Sequence, residues 1–228
     1  MKISGLQKLT LLDYPGKMAC TVFTYGCNFR CGFCHNALLV TEENGDNISE
    51  DEFFAFLKKR QGILDGVCIS GGEPTLQKNL SEFIAKIKDL GYSVKLDTNG
   101  TNPTLLKKLI SKNLVDYIAM DIKNSPKKYD ITCGCKVDTD SIKESVSLII
   151  SSGIEHEFRT TTLREYHTAE DFEDIAEWIA GNSSYYLQHF EDSGNLIGEN
   201  LTDFSKDEMA LFAEKIKEKL PFVQLRGV

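Results

Sequence analysis

The sequence predicts an α/β protein of parallel strands with outer helices. Two observations carry that expectation. Six short apolar segments read as strands: Ala19–Tyr25, Gly66–Ser70, Ser93–Asp97, Tyr117–Ile122, His156–Thr161 and Tyr185–Phe190. Between them lie longer segments with apolar residues at helical spacing. Such alternation implies parallel strands joined by right-handed crossovers. Six units suit a partial (β/α)6 barrel, although an open doubly wound sheet gives a similar pattern. In either arrangement, chemistry belongs at the carboxyl ends of the strands.

The helices carry their own start and stop signals. Ser49-Glu50-Asp51-Glu52 is a capping-box pattern ahead of Phe53, Phe54 and Leu57. Leu80, Phe83, Ile84, Ile87 and Leu90 form one apolar face, closed by Gly91. Pro103 suits a first helical turn, with Leu105, Leu106, Leu109 and Ile110 as its apolar stripe. Ile142, Val146, Ile149 and Ile150 mark a helix closed near Gly153. Thr168 caps one bearing Phe172, Ile175 and Ile179, and Ser205-Lys206-Asp207-Glu208 opens the last, which ends before Pro221.

No low-complexity linker or composition break interrupts the chain, so residues 1–228 read as a single domain. With 41% hydrophobic residues, that length supports a substantial core. A formal net charge of -8 argues against a large nucleic-acid-binding face. There is no signal-peptide core near Met1 and no apolar run long enough to span a membrane. Seven cysteines without an export signal suggest reduced thiols and a cytoplasmic location. Cys20 and Cys68, inside apolar strands, are expected in the core. His156 and His167, without partner spacing, are expected to be structural or solvent-facing. Cys133-Gly134-Cys135 is too small a group for a second cluster of its own.

The chemical signal is Cys27-Asn28-Phe29-Arg30-Cys31-Gly32-Phe33-Cys34, a C-x3-C-x2-C triplet in one loop after the first of these strands. Three thiolates this close can hold three corners of a [4Fe–4S] cluster and leave the fourth iron open to a small molecule. Clusters that only carry electrons normally have four cysteine ligands, and structural zinc sites also want four. At later strand ends come Ser70-Gly71-Gly72-Glu73-Pro74, Asp97-Thr98-Asn99-Gly100, Asp121-Ile122-Lys123, Arg159-Thr160-Thr161 and Leu187-Gln188-His189-Phe190. Paired glycines allow close backbone approach to a ligand. Neighbouring carboxylates call for a cation between them, supplied by Lys123 or a metal ion.

The triplet, the aromatic Phe33 before its third cysteine, and the Gly-Gly-Glu run resemble the radical S-adenosylmethionine (SAM) superfamily. The resemblance implies a partial (β/α)6 radical-SAM barrel. Cys27, Cys31 and Cys34 would hold a [4Fe–4S] cluster whose open iron chelates SAM. Gly71, Gly72 and Glu73 would meet the SAM amino group. Lys123, Asp121 and Arg159 would also contact SAM, with Phe33, His35 and His189 nearby, and a monovalent cation would sit near Asp97, Thr98 and Asp121. In the pyruvate formate-lyase activating type, the position matching the histidine over SAM falls here on Phe190, one place after His189. Gly5-Leu6-Gln7-Lys8, Leu12-Asp13-Tyr14-Pro15-Gly16-Lys17 and Phe23 through Asn36 are most similar to the anaerobic ribonucleoside-triphosphate reductase activating proteins of the pyruvate formate-lyase-activase-like branch.

That similarity implies a glycyl-radical-enzyme activating enzyme. Electrons from flavodoxin or ferredoxin would drive reductive SAM cleavage, and the 5′-deoxyadenosyl radical would take a hydrogen from a glycine of a partner enzyme. The segment Glu191–Asp203 would shape access for that partner. The alternatives are a radical SAM enzyme acting on a small molecule or peptide, such as a deazapurine synthase, and a non-catalytic iron–sulfur or zinc protein.

Overall fold

The computed structural model describes residues 1–41, 48–192 and 194–228. Its backbone divides into two compact units. The first comprises residues 1–28, 38–98 and 102–118, and the second residues 29–37, 99–101 and 119–228.

In the first unit β1 (Ile3–Thr10) runs antiparallel to β2 (Ala19–Thr24), and β2 pairs in parallel with β3 (Gly66–Gly71), which pairs in parallel with β4 (Ser93–Thr98). Between β2 and β3 lie the short helix α1 (Ala37–Thr41) and α2 (Glu50–Arg60); α3 (Leu80–Asp89) precedes β4 and α4 (Pro103–Ser111) follows it. Val67, Cys68 and Ile69 are fully buried, as a parallel strand covered on both faces requires. The α2 capping box forms as the sequence predicts: Glu52 N–H donates to Ser49 Oγ at 3.2 Å and Ser49 N–H to Glu52 Oε2 at 2.9 Å. Leu80, Phe83, Ile84 and Ile87 bury one face of α3, and Asn102 caps α4 by accepting the Leu105 N–H at 3.1 Å.

The second unit holds the end of β5 (Tyr117–Asp121), then α5 (Tyr129–Cys133), α6 (Thr139–Ser152), β6 (Glu155–Thr162), α7 (Ala169–Trp178), β7 (Ser184–His189), α8 (Lys206–Ile216) and β8 (Val223–Arg226). β6, β7 and β8 are parallel neighbours in that order. At the end of β5, Ile122 N–H donates to the Arg159 carbonyl at 2.8 Å. Gly134 and Gly153 close α5 and α6 in left-handed conformations.

The six expected strands are all present, each bound within one residue of its prediction. The structure adds β1 and β8. β1 exposes Gln7, Lys8 and Leu9 in succession, so it lacks the apolar signature of a covered strand. β8 has only four residues. Cys20 and Cys68 are buried, as expected. His167 is buried too, stacked on Phe172 with ring centroids 5.4 Å apart, and His156 bonds to Ser183 Oγ at 2.9 Å. Among the described residues no helix is long and apolar enough to cross a membrane.

Ser49→Ala removes the α2 cap. It is expected to lower the unfolding free energy by about 1 kcal/mol, measured by urea denaturation.

Candidate functional site

In the first unit the end of β3 packs against the chain that leads into the cysteine loop. Gly72 N–H donates to Thr24 O at 2.9 Å and Glu73 N–H to Gly26 O at 2.8 Å. A Cβ on Gly72 would lie 2.0 Å from Gly26 O, and one on Gly71, whose φ is +117°, would lie 2.3 Å from Thr24 N. Both glycines are therefore demanded by the approach of two backbones, one to three residues before Cys27. Glu73, 1% exposed, accepts from Thr75 N–H at 3.0 Å, Thr75 Oγ1 at 2.5 Å and Thr98 Oγ1 at 2.8 Å. Its carboxylate locks the turn and the end of β4 together. Asp97 accepts from Ser70 Oγ at 3.0 Å and is ion-paired with the buried Lys95.

In the second unit the rest of the cysteine loop is held by two backbone bonds. Arg30 N–H donates to Cys133 O at 2.8 Å, and Gly198 N–H donates to Gly32 O at 2.8 Å. The turn closes with Cys34 N–H on Cys31 O at 3.1 Å. Clearance is small: a Cβ on Gly32 would meet Tyr166 Oη at 2.8 Å, and one on Gly134 would meet Arg30 O at 2.5 Å. Phe33 is buried, with Tyr166 at 5.8 Å between ring centroids and the Lys123 ammonium 5.8 Å from its own ring centre. His35 packs on Phe190 at 6.0 Å.

The same unit brings together Asp121, Lys123 and Arg159. Lys123 Nζ lies 3.0 Å from Asp121 Oδ2, and Arg159 Nε 2.8 Å from Asp121 Oδ1. Burial opposes ionisation of Asp121, but Arg159 and Lys123 outweigh it and hold the carboxyl well below its usual range. Burial likewise disfavours the Lys123 charge, and Asp121 overcomes that to raise its pKa. A hydrogen bond from Cys133 lowers the Cys31 thiol to about 7, against burial, with help from the Lys123 charge. Burial raises Cys34 and lowers His35.

His189 points elsewhere for its partner: its Nε2 lies 2.7 Å from Asp203 Oδ2. Phe190, its neighbour, is buried. The segment after β7 is predicted to be a partner-access loop. Within it Gly198 bonds the cysteine loop and Thr202 N–H donates to Glu165 Oε2 at 3.0 Å; Ser193 lies outside the described residues. Sequence reasoning missed the anchoring roles of Cys133, Gly134, Tyr166 and Gly198. The glycine after α5 was the available signal, since a left-handed helix end usually falls on glycine.

None of the seven cysteines is joined to another in a disulfide. Among the described residues no three His, Cys, Asp or Glu side chains converge as ligands of a single metal ion would. A cubane cluster is broader than one ion, so its thiolates need not converge on a point. Three cysteines in one loop, none of them in a disulfide, have the donor chemistry of such a cluster. Protein cations stand beside both carboxylates proposed for a monovalent cation: Lys95 at Asp97, and Lys123 and Arg159 at Asp121.

An α/β protein with parallel strands and a three-thiol loop leading off β2 has the frame of a cluster-dependent enzyme. Residues 21–179 match the family described as the Radical SAM superfamily. A protein of Methanocaldococcus jannaschii is 38% identical over 196 residues, covering 83% of this chain and 80% of its own; its name is "putative glycyl-radical enzyme activating enzyme". In fold, the chain is similar to a radical SAM methyltransferase from Sphaerobacter thermophilus (TM-score 0.74, 14% identity, 96% of this chain and 68% of that one). It is also similar to SuiB of Streptococcus suis bound to S-adenosylmethionine (TM-score 0.71, 13% identity, 90% of this chain), of whose length it spans about half, 49%. The chain belongs to the radical SAM superfamily, whose enzymes use a [4Fe–4S] cluster and SAM.

Gly134→Ala places a methyl group against the Arg30 carbonyl at a φ of +64°. The variant is expected to lose about 1–3 kcal/mol in urea unfolding. It should also bind less iron and sulfide per chain than wild type after identical oxygen-free reconstitution.

Proposed function

We propose that this chain activates a glycyl radical enzyme, and that the partner is an anaerobic ribonucleoside-triphosphate reductase. The observation that carries the activating role is the 38% identity, over four-fifths of both chains, to the jannaschii protein of that name. The opening segment Gly5 through Lys17 and the run from Phe23 to Asn36 support the choice of partner by their resemblance to that branch.

Cys27, Cys31 and Cys34 would hold the cluster. When bound and reduced by flavodoxin or ferredoxin, a [4Fe–4S] cluster would supply the one-electron chemistry that cleaves SAM, so that a hydrogen atom could be taken from the partner's glycine Cα. The chain's own residues place and shield the reactants. Carbonyls at Gly71 and Gly72 accept from the SAM ammonium. Glu73 keeps that turn in shape through Thr75 and Thr98. Lys123 and Arg159, both pinned by Asp121, offer positive charge to the SAM carboxylate and ribose oxygens. Phe33 covers the Lys123 ammonium, and His35 and His189 border the site. A monovalent cation near Asp97, Thr98 and Asp121 adds to charges already balanced by Lys95, Lys123 and Arg159.

Oxygen-free, reconstituted protein given dithionite and SAM is expected to release 5′-deoxyadenosine. With the reductase added, a glycyl-radical EPR doublet should appear. Replacing Cys27, Cys31 or Cys34 with alanine should bring both signals to background. Nucleoside release without a doublet from any glycyl radical enzyme would point to a small-molecule or peptide substrate.

The segment 194–203 also supports the cysteine loop through Gly198, so deleting it tests two things at once. Arginine at the exposed Asn195 and Glu199 is the cleaner change. If this segment meets the partner, N195R/E199R should weaken glycyl radical formation by about tenfold, an interface loss of about 1.4 kcal/mol, and leave SAM cleavage at the wild-type rate.

A further inference from the structure

The second unit contains a ladder of alternating charges that reaches from Lys123 to the last strand. Glu157 and Arg159 sit two residues apart on β6 and so share a face. Glu157 is 1% exposed. Arg226, on β8, grips it with a two-pronged bond: Nη1 to Oε1 at 3.1 Å and Nη2 to Oε2 at 2.9 Å. The Arg226 guanidinium lies on the Tyr186 ring of β7, 3.7 Å from its centre, which fixes the plane of that fork. Arg159 Nη1 stands 3.7 Å from the same Glu157 Oε1, while its Nε holds Asp121 at 2.8 Å.

Arg159 therefore lies between two carboxylates. Glu157 is nearly without solvent, and a buried carboxylate draws whatever cation is in reach. Arg226 satisfies both Glu157 oxygens, and Arg159 keeps its closer bond to Asp121. We propose that Arg226 is a positioning residue: by saturating Glu157 it holds Arg159 on Asp121 and so fixes the cation that meets SAM. This rests on the assignment of Arg159 to SAM binding. Arg226 itself touches no reacting atom.

The test is the SAM dissociation constant of cluster-loaded, full-length protein, measured by oxygen-free equilibrium dialysis. In R226Q the Glu157 carboxylate competes for Arg159, and SAM is expected to bind about tenfold more weakly with unchanged iron content. Adding E157Q removes the competing charge, so E157Q/R226Q should recover to within about threefold of wild type; contacts in one network couple this strongly. A residue that merely stabilised β8 would show no such recovery. R226K keeps the charge without the fork and should be about threefold weaker than wild type; it carries the test if R226Q does not fold. Wild-type affinity in R226Q, or in R226K where that carries the test, overturns the proposal, as does a double variant no better than R226Q. If wild-type protein binds no SAM, the assignment of Arg159 fails and takes this proposal with it. R159Q, measured alongside, separates the two: weakened SAM binding in R159Q with an indifferent R226Q overturns this proposal alone, and wild-type binding in both overturns the assignment of Arg159 with it.

Discussion

Charges drawn out of water must be matched by opposite charges, and that constraint orders the strand ends of this protein. Asp97 is paired with Lys95, Asp121 with Lys123 and Arg159, and Glu157 with Arg226. An uncompensated buried carboxylate would cost several kcal/mol. The partners are mostly residues of the same strand or a neighbouring one, so strand geometry sets the distances. Lys95 and Asp97 share a face of β4, as Glu157 and Arg159 share a face of β6. The charged groups expected to meet SAM are thereby held by neighbours before any ligand arrives, which lowers the ordering cost of binding.

A second constraint acts on the backbone. Along the cysteine loop and just before it, two backbones approach more closely than any residue but glycine permits. Gly72 admits the Gly26 carbonyl, and Gly134 admits the Arg30 carbonyl. Each contact fixes one stretch of the loop through main-chain hydrogen bonds rather than through side-chain packing. Main-chain anchoring does not draw on the thiol side chains of Cys27, Cys31 and Cys34. It also sets Cys31 beside Cys133 and within the field of Lys123, which together acidify its thiol.

Much of this was legible in the chain. Helix starts at Ser49, Pro103 and Ser205 and the covered strand predicted at Gly66–Ser70 gave direct signals, because capping and two-sided burial act through adjacent residues. The half-exposed edge strand β1 and the four-residue β8 gave none. The Gly71-Gly72-Glu73 run was visible as a motif, but its internal work was not. Glycine pairs suggest ligand approach as readily as backbone approach, and only the fold shows Thr24 and Gly26 lying against them. Likewise His189 is conspicuous in sequence, while its pairing with Asp203 depends on where the chain returns after β7.

The sequence by itself determined the alternation of strands and helices and the spacing of three thiols in one loop. These are local properties: periodicity, caps and cysteine intervals are complete within a few residues. Tertiary structure alone decided that Cys133 would touch Cys31, that Gly198 would clasp Gly32, and that Arg226 would answer Glu157 from sixty-nine residues away. Those contacts join positions with no sequence relation, so no pattern along the chain encodes them. They arise when the fold lays separate loops and strands side by side and their charges, thiols and carbonyls find partners there.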